Sequence, residues 1–421
     1  MKIAIIAFGT RGDVQPLLAL GQGLQQAGHE VRVVAGANFK CWIEQQGLHA
    51  ASCTVDTQSV MEGDAVEEWV RHGNNPIVNV RMMRQLFAQY GYAMMMDAWT
   101  GSQGAEAVIS SLFSDVFAVS ITEKLKVRHM SAWLQPAMLA TRSGPALMNA
   151  PFPNRNSWLN YWFGRQFVEP FLWNMSGAIA NRLRVEVLGL PFQTRAENEA
   201  IRRNILILHG YSQHVIPPPD DWPLNAHTTG YWFLDDAATW QPPTPLVDFL
   251  AAGEPTICIG FGSMTGSDAG PLTDLFVRAV QQSQTRAVLL SGWAGIGEKP
   301  LPPNILRLEA APHQWLYPRM RAVVHHGGAG TTAASLRAGI PTIIVPHLAD
   351  QSFWGKCVES LGVGPRAIPR EKLTADVLAV AIRTALSDMD MQRRAADLGA
   401  RIRAEDGIGN AVALVDRYLQ A

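Results

Sequence analysis

A chain of 421 residues is long enough for two or three domains. Thirty-five Lys plus Arg against thirty-six Asp plus Glu leave a formal charge of −1, which excludes the strong basic field of a nucleic-acid reader. With 48% hydrophobic and 17% charged residues, the composition is that of folded cores, not of disordered tails. Cys41, Cys53, Cys258 and Cys357 lack CxxC spacing, so they point to reduced thiols in a cytoplasmic protein and away from a disulfide framework or a zinc site.

In chain order, residues 3–8 are an apolar run of strand length, suited to a parallel sheet covered on both faces. The run stops at Gly9-Thr10-Arg11-Gly12-Asp13, too early for the apolar stretch of a signal peptide. The next helix is expected to open near Pro16, where a missing N–H costs nothing. It should continue through Leu17, Leu20 and Leu24 to Gly28 as C-cap. A strand over 31–35 and a helix over 38–46 closed by Gly47 extend the α/β rhythm. Residues 152–175 carry Trp158, Trp162 and Trp173 among several Phe. They read as an aromatic helix pair packed on its own domain, or as a wall for a large apolar ligand or a membrane surface. Met82, Met83 and Met94-Met95-Met96 favour the second reading, because Met adapts to irregular apolar ligands. No uncharged apolar run approaches the ~20 residues of a spanning helix, so any membrane contact is expected to be peripheral.

The opening pattern returns downstream, where a strand over 256–260 runs into Phe261-Gly262-Ser263, echoing Phe8-Gly9-Thr10. Two Rossmann-like halves follow: 1–215, then a connector over 216–245 stiffened by Pro217, Pro218, Pro219, Pro223, Pro242, Pro243 and Pro245, then 246–421. The last helix is expected to pack back on the first half. Further strands are expected over 286–290, 322–325 and 342–345, with a helix over 331–337 capped by Gly339.

The densest chemistry lies in His325-His326-Gly327-Gly328-Ala329-Gly330-Thr331-Thr332, between strand and helix. Glycines let backbone N–H groups approach a phosphate, and the helix N-terminus adds its positive dipole end. Gly328-x-Gly330-x-x-Ala333 with Asp350 twenty residues past Gly330 also satisfies the dinucleotide fingerprint, which keeps an NAD-dependent oxidoreductase as the alternative. That fingerprint assigns no work to His326. Asp388-Met389-Asp390 is a DxD at a helix start, where capping and a solvated surface explain it, and no metal is expected. His29 and His325 read as packed, structural histidines.

His326 to Thr331, followed by Pro346-His347-Leu348-Ala349-Asp350-Gln351, resembles the donor-binding signature of family 1 glycosyltransferases, nucleotide-sugar enzymes of the GT-B fold. Gly9-Thr10-Arg11-Gly12-Asp13-Val14-Gln15-Pro16 is similar to the opening of their microbial branch. Asp221-Trp222-Pro223, Thr229-Gly230-Tyr231-Trp232, Gly260-Phe261-Gly262-Ser263-Met264 and Ala311-Pro312-His313-Gln314-Trp315-Leu316 resemble sterol glucosyltransferases in particular. The likeness is dense in the second half and the first 35 residues, and weak between about 60 and 200.

The resemblance implies two facing Rossmann-like domains, α/β throughout, with the acceptor in the first, the donor in the second and the reaction in the cleft. It implies that His326 with Gly328, Ala329, Gly330 and Thr331 holds the diphosphate, and that Asp350 and Gln351 take the sugar hydroxyls. Ser263, Trp293, His313, Thr10, Arg11 and Gly12 complete the implied donor set; Met94, Trp133, Trp158 and Trp162 are the acceptor candidates. Asp13 stands where plant members keep their catalytic His and is expected to be the base. Its competing reading is a helix N-cap. Ala334 replaces the ribose-binding Glu of plant members, and Ala310 their uracil-stacking Trp. The implied function is an inverting, metal-independent transfer of a hexose from UDP-glucose, or from a TDP-sugar, to an apolar acceptor such as a sterol. Another lipid or a polyketide-like product is the alternative acceptor. The expected partners are small molecules and a peripheral membrane surface, with no cofactor and no nucleic acid.

Overall fold

The structure is a computed structural model and describes residues 1–61, 76–136, 139–143, 156–234, 240–253, 256–261, 269–292, 296–347 and 350–420. They divide into two compact units, one made of Met1–Met61, Ile77–Leu234 and Asp406–Ala421, the other built on Asp235–Glu405.

The first unit grows from β1 (Lys2–Ile6), in which alternate residues serve two apolar clusters. Ile3 and Ile5 enter one cluster, Ala4 and Ile6 the other. With both faces covered, the strand suits an all-parallel sheet. β2 (Glu30–Val34), β3 (His49–Ala50), β4 (Ala107–Ser110), β5 (Arg128–Trp133), β6 (Leu206–His209) and β7 (Ala226–Thr228) join it in the order β3-β2-β1-β4-β5-β6-β7, every pair parallel.

One helix boundary differs from the sequence-based expectation. The first helix spans Arg11–Gln26 with Thr10 as its N-cap, so Pro16 sits inside it, in the second turn. There the missing N–H leaves the Gly12 carbonyl without its i+4 donor, and the expectation of a helix opening at Pro16 is corrected. Gly28 and Gly47 follow their helices with φ of 92° and 77°, the left-handed exits that glycine permits.

The helix Gly407–Gln420 belongs to the first unit although it follows the second in sequence. It lies on the Arg11–Gln26 helix because Gly23 has no side chain there: a Cβ on Gly23 would stand 2.3 Å from Ile408 Cγ2. Ala411 and Val415 enter the β1 cluster, and His29 Nε2 meets Asp416 Oδ1 at 2.7 Å, which makes His29 a packed, bonded residue. Trp232 Nε1 donates to the Gly407 carbonyl at 3.2 Å, and Asn410 Nδ2 to the Thr229 carbonyl at 3.0 Å.

The second unit repeats the plan. β8 (Thr256–Gly260), β9 (Arg286–Leu290), β10 (Ile305–Leu308), β11 (Ala322–His325) and β12 (Thr342–Ile344) lie in the order β10-β9-β8-β11-β12, all parallel. In both sheets the order reverses beside the opening strand, at β1/β4 and at β8/β11. Ligands of open α/β sheets bind outside the carboxyl ends of the strands at such reversals.

Candidate functional site

At the reversal in the first unit, Gly9 turns the chain out of β1 with φ 140°. Thr10 caps the helix, and Asp13 is its third residue rather than its cap. Asp13 Oδ2 accepts the Thr10 N–H at 2.8 Å and the Thr10 hydroxyl at 3.0 Å. A Cβ on Gly9 would stand 2.4 Å from that same oxygen, so only glycine lets the carboxylate lie against the turn. Gly12 is exposed in the first turn, and Arg11 sets its guanidinium 4.9 Å from the Trp42 ring centroid, a cation–π contact.

Beside it, the end of β4 carries a buried polar cluster that the sequence reading missed. Asp115 opens the helix Asp115–Leu125 and is buried. Its Oδ1 accepts from Ser110 Oγ at 2.9 Å and from Ser131 Oγ, and its Oδ2 accepts from Arg202 Nε at 2.5 Å. His129 Nε2 lies 2.8 Å from Ser110 Oγ. Burial works to raise the Asp115 pKa, but Arg202, His129 and the Ser131 bond together outweigh it and hold the carboxyl below its usual range. Burial takes His129 the other way, down to about 4, against the attraction of Asp115. An ionised Asp and a neutral His at neutral pH result. Ser, His and Asp meet here without solvent access, so the cluster braces β4, β5 and two helices and is no nucleophilic triad.

The acceptor candidates scatter in their surroundings. Trp133 ends β5 inside the second apolar cluster of the sheet, and Met94 packs at the edge of that cluster. Trp158 and Trp162 lie on the helix Trp158–Phe163 at 64% and 44% exposure, with Leu159, Tyr161 and Phe167 also exposed. Trp162 meets Phe167 edge-on at 6.0 Å.

At the reversal in the second unit, β11 ends at His325, and Gly327 turns the chain with φ 93°. Gly328 is the N-cap of the helix Ala329–Ala338, so the N–H groups of Ala329, Gly330 and Thr331 are first-turn donors without helical acceptors. Gly327 is required by its φ and by space, since a Cβ there would stand 2.7 Å from Ile344 Cγ2; a Cβ on Gly328 would stand 2.5 Å from His326 Nε2 and would push the ring off the loop. His326 is therefore folded over the glycine loop at the positive helix end. Its Nδ1 is a buried atom without a hydrogen-bond partner.

Four histidines edge this end of the sheet, and burial keeps three of them neutral. His325 is fully buried, accepts the Gly327 N–H on Nδ1 at 2.9 Å, and is held well below its usual pKa by burial and then by His326 and His313. Burial lowers His326 to about 4. His347 is lowered to about 3 by burial, then by Arg370 and His326. His313 begins the helix His313–Leu316 and stacks on Tyr317 at 4.4 Å. Any anion at the loop would thus meet an uncharged imidazole and helix N–H groups.

Asp350 is the N-cap and Gln351 the first residue of the helix Gln351–Leu361, which follows β12. Asp350 Oδ2 accepts from Trp354 Nε1 at 2.8 Å, and Gln351 Oε1 accepts the His347 N–H at 2.7 Å. Ser263 and Trp293 lie outside the described residues. The DxD resolves as local structure: Asp388 Oδ1 caps its helix by accepting from Met391 N at 2.8 Å, and Asp390 pairs with Arg393. Among the described residues, no cluster of three His, Cys, Asp or Glu could hold a metal ion.

Two Rossmann-ordered sheets, each with a helix N-terminus at its reversal, define an α/β protein of nucleotide-binding design. Residues 3–137 match the glycosyltransferase family 28 N-terminal domain, and residues 289–407 the C-terminal domain of erythromycin biosynthesis protein CIII-like proteins. All of this chain aligns with a sterol 3-beta-glucosyltransferase of Neosartorya fischeri at 36% identity over 435 residues, and the chain spans 30% of that relative's length. Among solved structures, the kitacinnamycin glycosyltransferase superposes with a TM-score of 0.72 at 18% identity, over 99% of each chain. Glycosyltransferase VinC in complex with DTDP gives 0.67 at 18% identity, over 100% of each chain. Over its whole length the chain has the fold of these glycosyltransferases, the GT-B fold. The two domain matches favour the glycosyltransferase reading of the Gly328 turn over the dinucleotide fingerprint.

Proposed function

We propose that this chain moves a hexose from a nucleoside-diphosphate sugar to the hydroxyl of an apolar acceptor, with UDP-glucose and a sterol as the leading pair. The observation that carries the reading is His326, neutral and folded over Gly328 at the N-terminus of the helix Ala329–Ala338, with Nδ1 buried and without a partner. The alignment of the whole chain with a sterol 3-beta-glucosyltransferase supports the acceptor class.

In this reading the diphosphate sits on the first-turn N–H groups and takes a hydrogen bond from His326. That arrangement stabilises the charge that grows on the leaving group. Asp350 and Gln351 receive the sugar. Asp13, oriented by Thr10, takes the acceptor proton as its oxygen attacks the anomeric carbon. The bond to the diphosphate breaks as the new glycosidic bond forms on the opposite face, so the configuration inverts. The reading needs no metal, and it places the reaction in the cytoplasm, with a peripheral membrane contact through the exposed Trp158 and Trp162.

The match to the erythromycin CIII-like C-terminal domain favours a second reading within the class, a TDP-sugar and a polyketide-like acceptor. Thermal shift with UDP-glucose, TDP-glucose, TDP-rhamnose, UDP and NAD separates the two, since a ligand that prefers the native state raises the melting temperature. The leading reading expects stabilisation by UDP and UDP-glucose above the TDP species, and none by NAD. A response to NAD alone would refute both.

A further inference from the structure

Arg370 reaches the carboxyl end of β12 by a route fixed in the backbone. The chain after the helix Gln351–Leu361 runs along β12, with Thr342 N donating to the Val363 carbonyl at 3.1 Å and Ile368 N to the Ile344 carbonyl at 2.9 Å. Arg370 is thereby delivered to His347, and its Nη1 lies 2.7 Å from His347 Nε2.

A guanidinium only donates, so Nε2 must accept and the ring proton belongs on Nδ1. That nitrogen lies 2.8 Å from the Val345 carbonyl, which completes the same tautomer. His347 is buried, and Phe261 from the end of β8 meets its ring edge-on at 5.3 Å. The ring is therefore held on three sides. Its backbone N–H donates to the buried Gln351 Oε1 at 2.7 Å, and the Gln351 carbonyl would lie 3.1 Å from a Cβ on Gly327. A continuous set of contacts thus runs from Arg370 through His347 to the residue that follows Asp350, and on to the glycine turn.

We propose that Arg370 and His347 form a positioning pair that fixes the Asp350–Gln351 helix start against the glycine turn, so that the donor's sugar, rather than its diphosphate, depends on them. The proposal rests on the donor reading above. Arg370 acts through His347 and is a positioning residue, not a catalytic one. The lowered pKa of His347 suits the role, because a protonated ring would lose its acceptor nitrogen and face the guanidinium with like charge.

The test is calorimetric titration of the full chain with UDP and with UDP-glucose, and in parallel with TDP and TDP-glucose. Arg370→Ala is expected to leave the nucleotide Kd within about twofold and to weaken the nucleotide sugar about tenfold, the loss of roughly one hydrogen bond's worth of positioning. Arg370→Lys, which still donates to Nε2, recovers most of that loss. His347→Phe, which keeps ring volume but not the acceptor, repeats it, and a melt of each variant verifies folding. An equal loss for nucleotide and nucleotide sugar overturns the proposal in favour of direct diphosphate contact; unchanged binding of both overturns it outright. Asp350→Ala, run alongside, separates the two layers. Retained sugar discrimination in that variant means that the reading of Asp350 itself is wrong. Discrimination lost there but kept in Arg370→Ala removes the positioning pair alone.

Discussion

Thr10 donates twice to a single oxygen of Asp13: its N–H and its hydroxyl both reach Oδ2, at 2.8 and 3.0 Å. The carboxylate is thus oriented by the same residue that caps its helix, and in the proposed mechanism a capping interaction and the orientation of the base coincide in one contact. Replacing Asp13 by Asn keeps the shape and removes the basicity. Transfer is expected to fall by about a hundredfold or more, with donor affinity unchanged. Near-normal turnover in Asp13→Asn would remove Asp13 as the base.

Gly9 offers an independent approach to the same oxygen. Alanine there would have to adopt φ 140° and place its methyl group 2.4 Å from Asp13 Oδ2. Gly9→Ala should lose about 1–3 kcal/mol of stability through backbone strain. Activity should fall beyond what the residual folded fraction explains, as urea melts and rates on the same sample would reveal. Full activity per folded molecule would mean that the carboxylate's place against the turn is immaterial.

Asp115 is the hub of the buried cluster at the end of β4, and its loss would leave Arg202 inside the protein without its carboxylate. Removing one partner of a buried pair is costly, so Asp115→Asn is expected to lower stability by about 3 kcal/mol or more. Chemical denaturation of the variant would measure it. A change under about 0.5 kcal/mol would show that the cluster does not brace the sheet.

The histidines of the second unit give the fold an acid limit. His347 titrates at about 3 when folded and His325 well below its usual value, because both are buried. An unfolded His binds its proton near pH 6.5. The unfolded state therefore takes up more protons as pH falls, and the stability present above about pH 6.5 is lost progressively down to about pH 3. The slope is up to about 1.4 kcal/mol per pH unit for each histidine. Urea midpoints at pH 7, 6 and 5 should fall in step, and a flat profile would contradict the buried neutral state.

Much of this was legible in the sequence, and the reason lies in local chemistry. Strands covered on both faces write themselves as apolar runs, so β1, β8 and β11 could be located within a residue or two. The glycine turn after His326 could be read because its glycines answer to contacts within a few residues, Gly328 against His326 among them. What stayed hidden depends on register. Ser110 and Ser131 come together only because β4 and β5 pair in parallel with those residues opposite. Arg370 finds His347 only because Ile368 lies against β12. The early helix start was missed for another reason. Pro16 is a strong local signal, and the Thr10–Asp13 contact overrode it.

The central claim is glycosyl transfer, and its most direct measurement follows radiolabelled glucose from UDP-glucose into cholesterol in detergent micelles, with TDP-glucose and a polyketide aglycone run in parallel. The account predicts label in the organic phase as a β-glucoside formed from the α-linked donor, reduced about a hundredfold or more in Asp13→Asn and reduced in His326→Ala. An α-linked product would contradict the single displacement, and hydrolysis alone, or no turnover with any donor and acceptor pair, would contradict the claim itself.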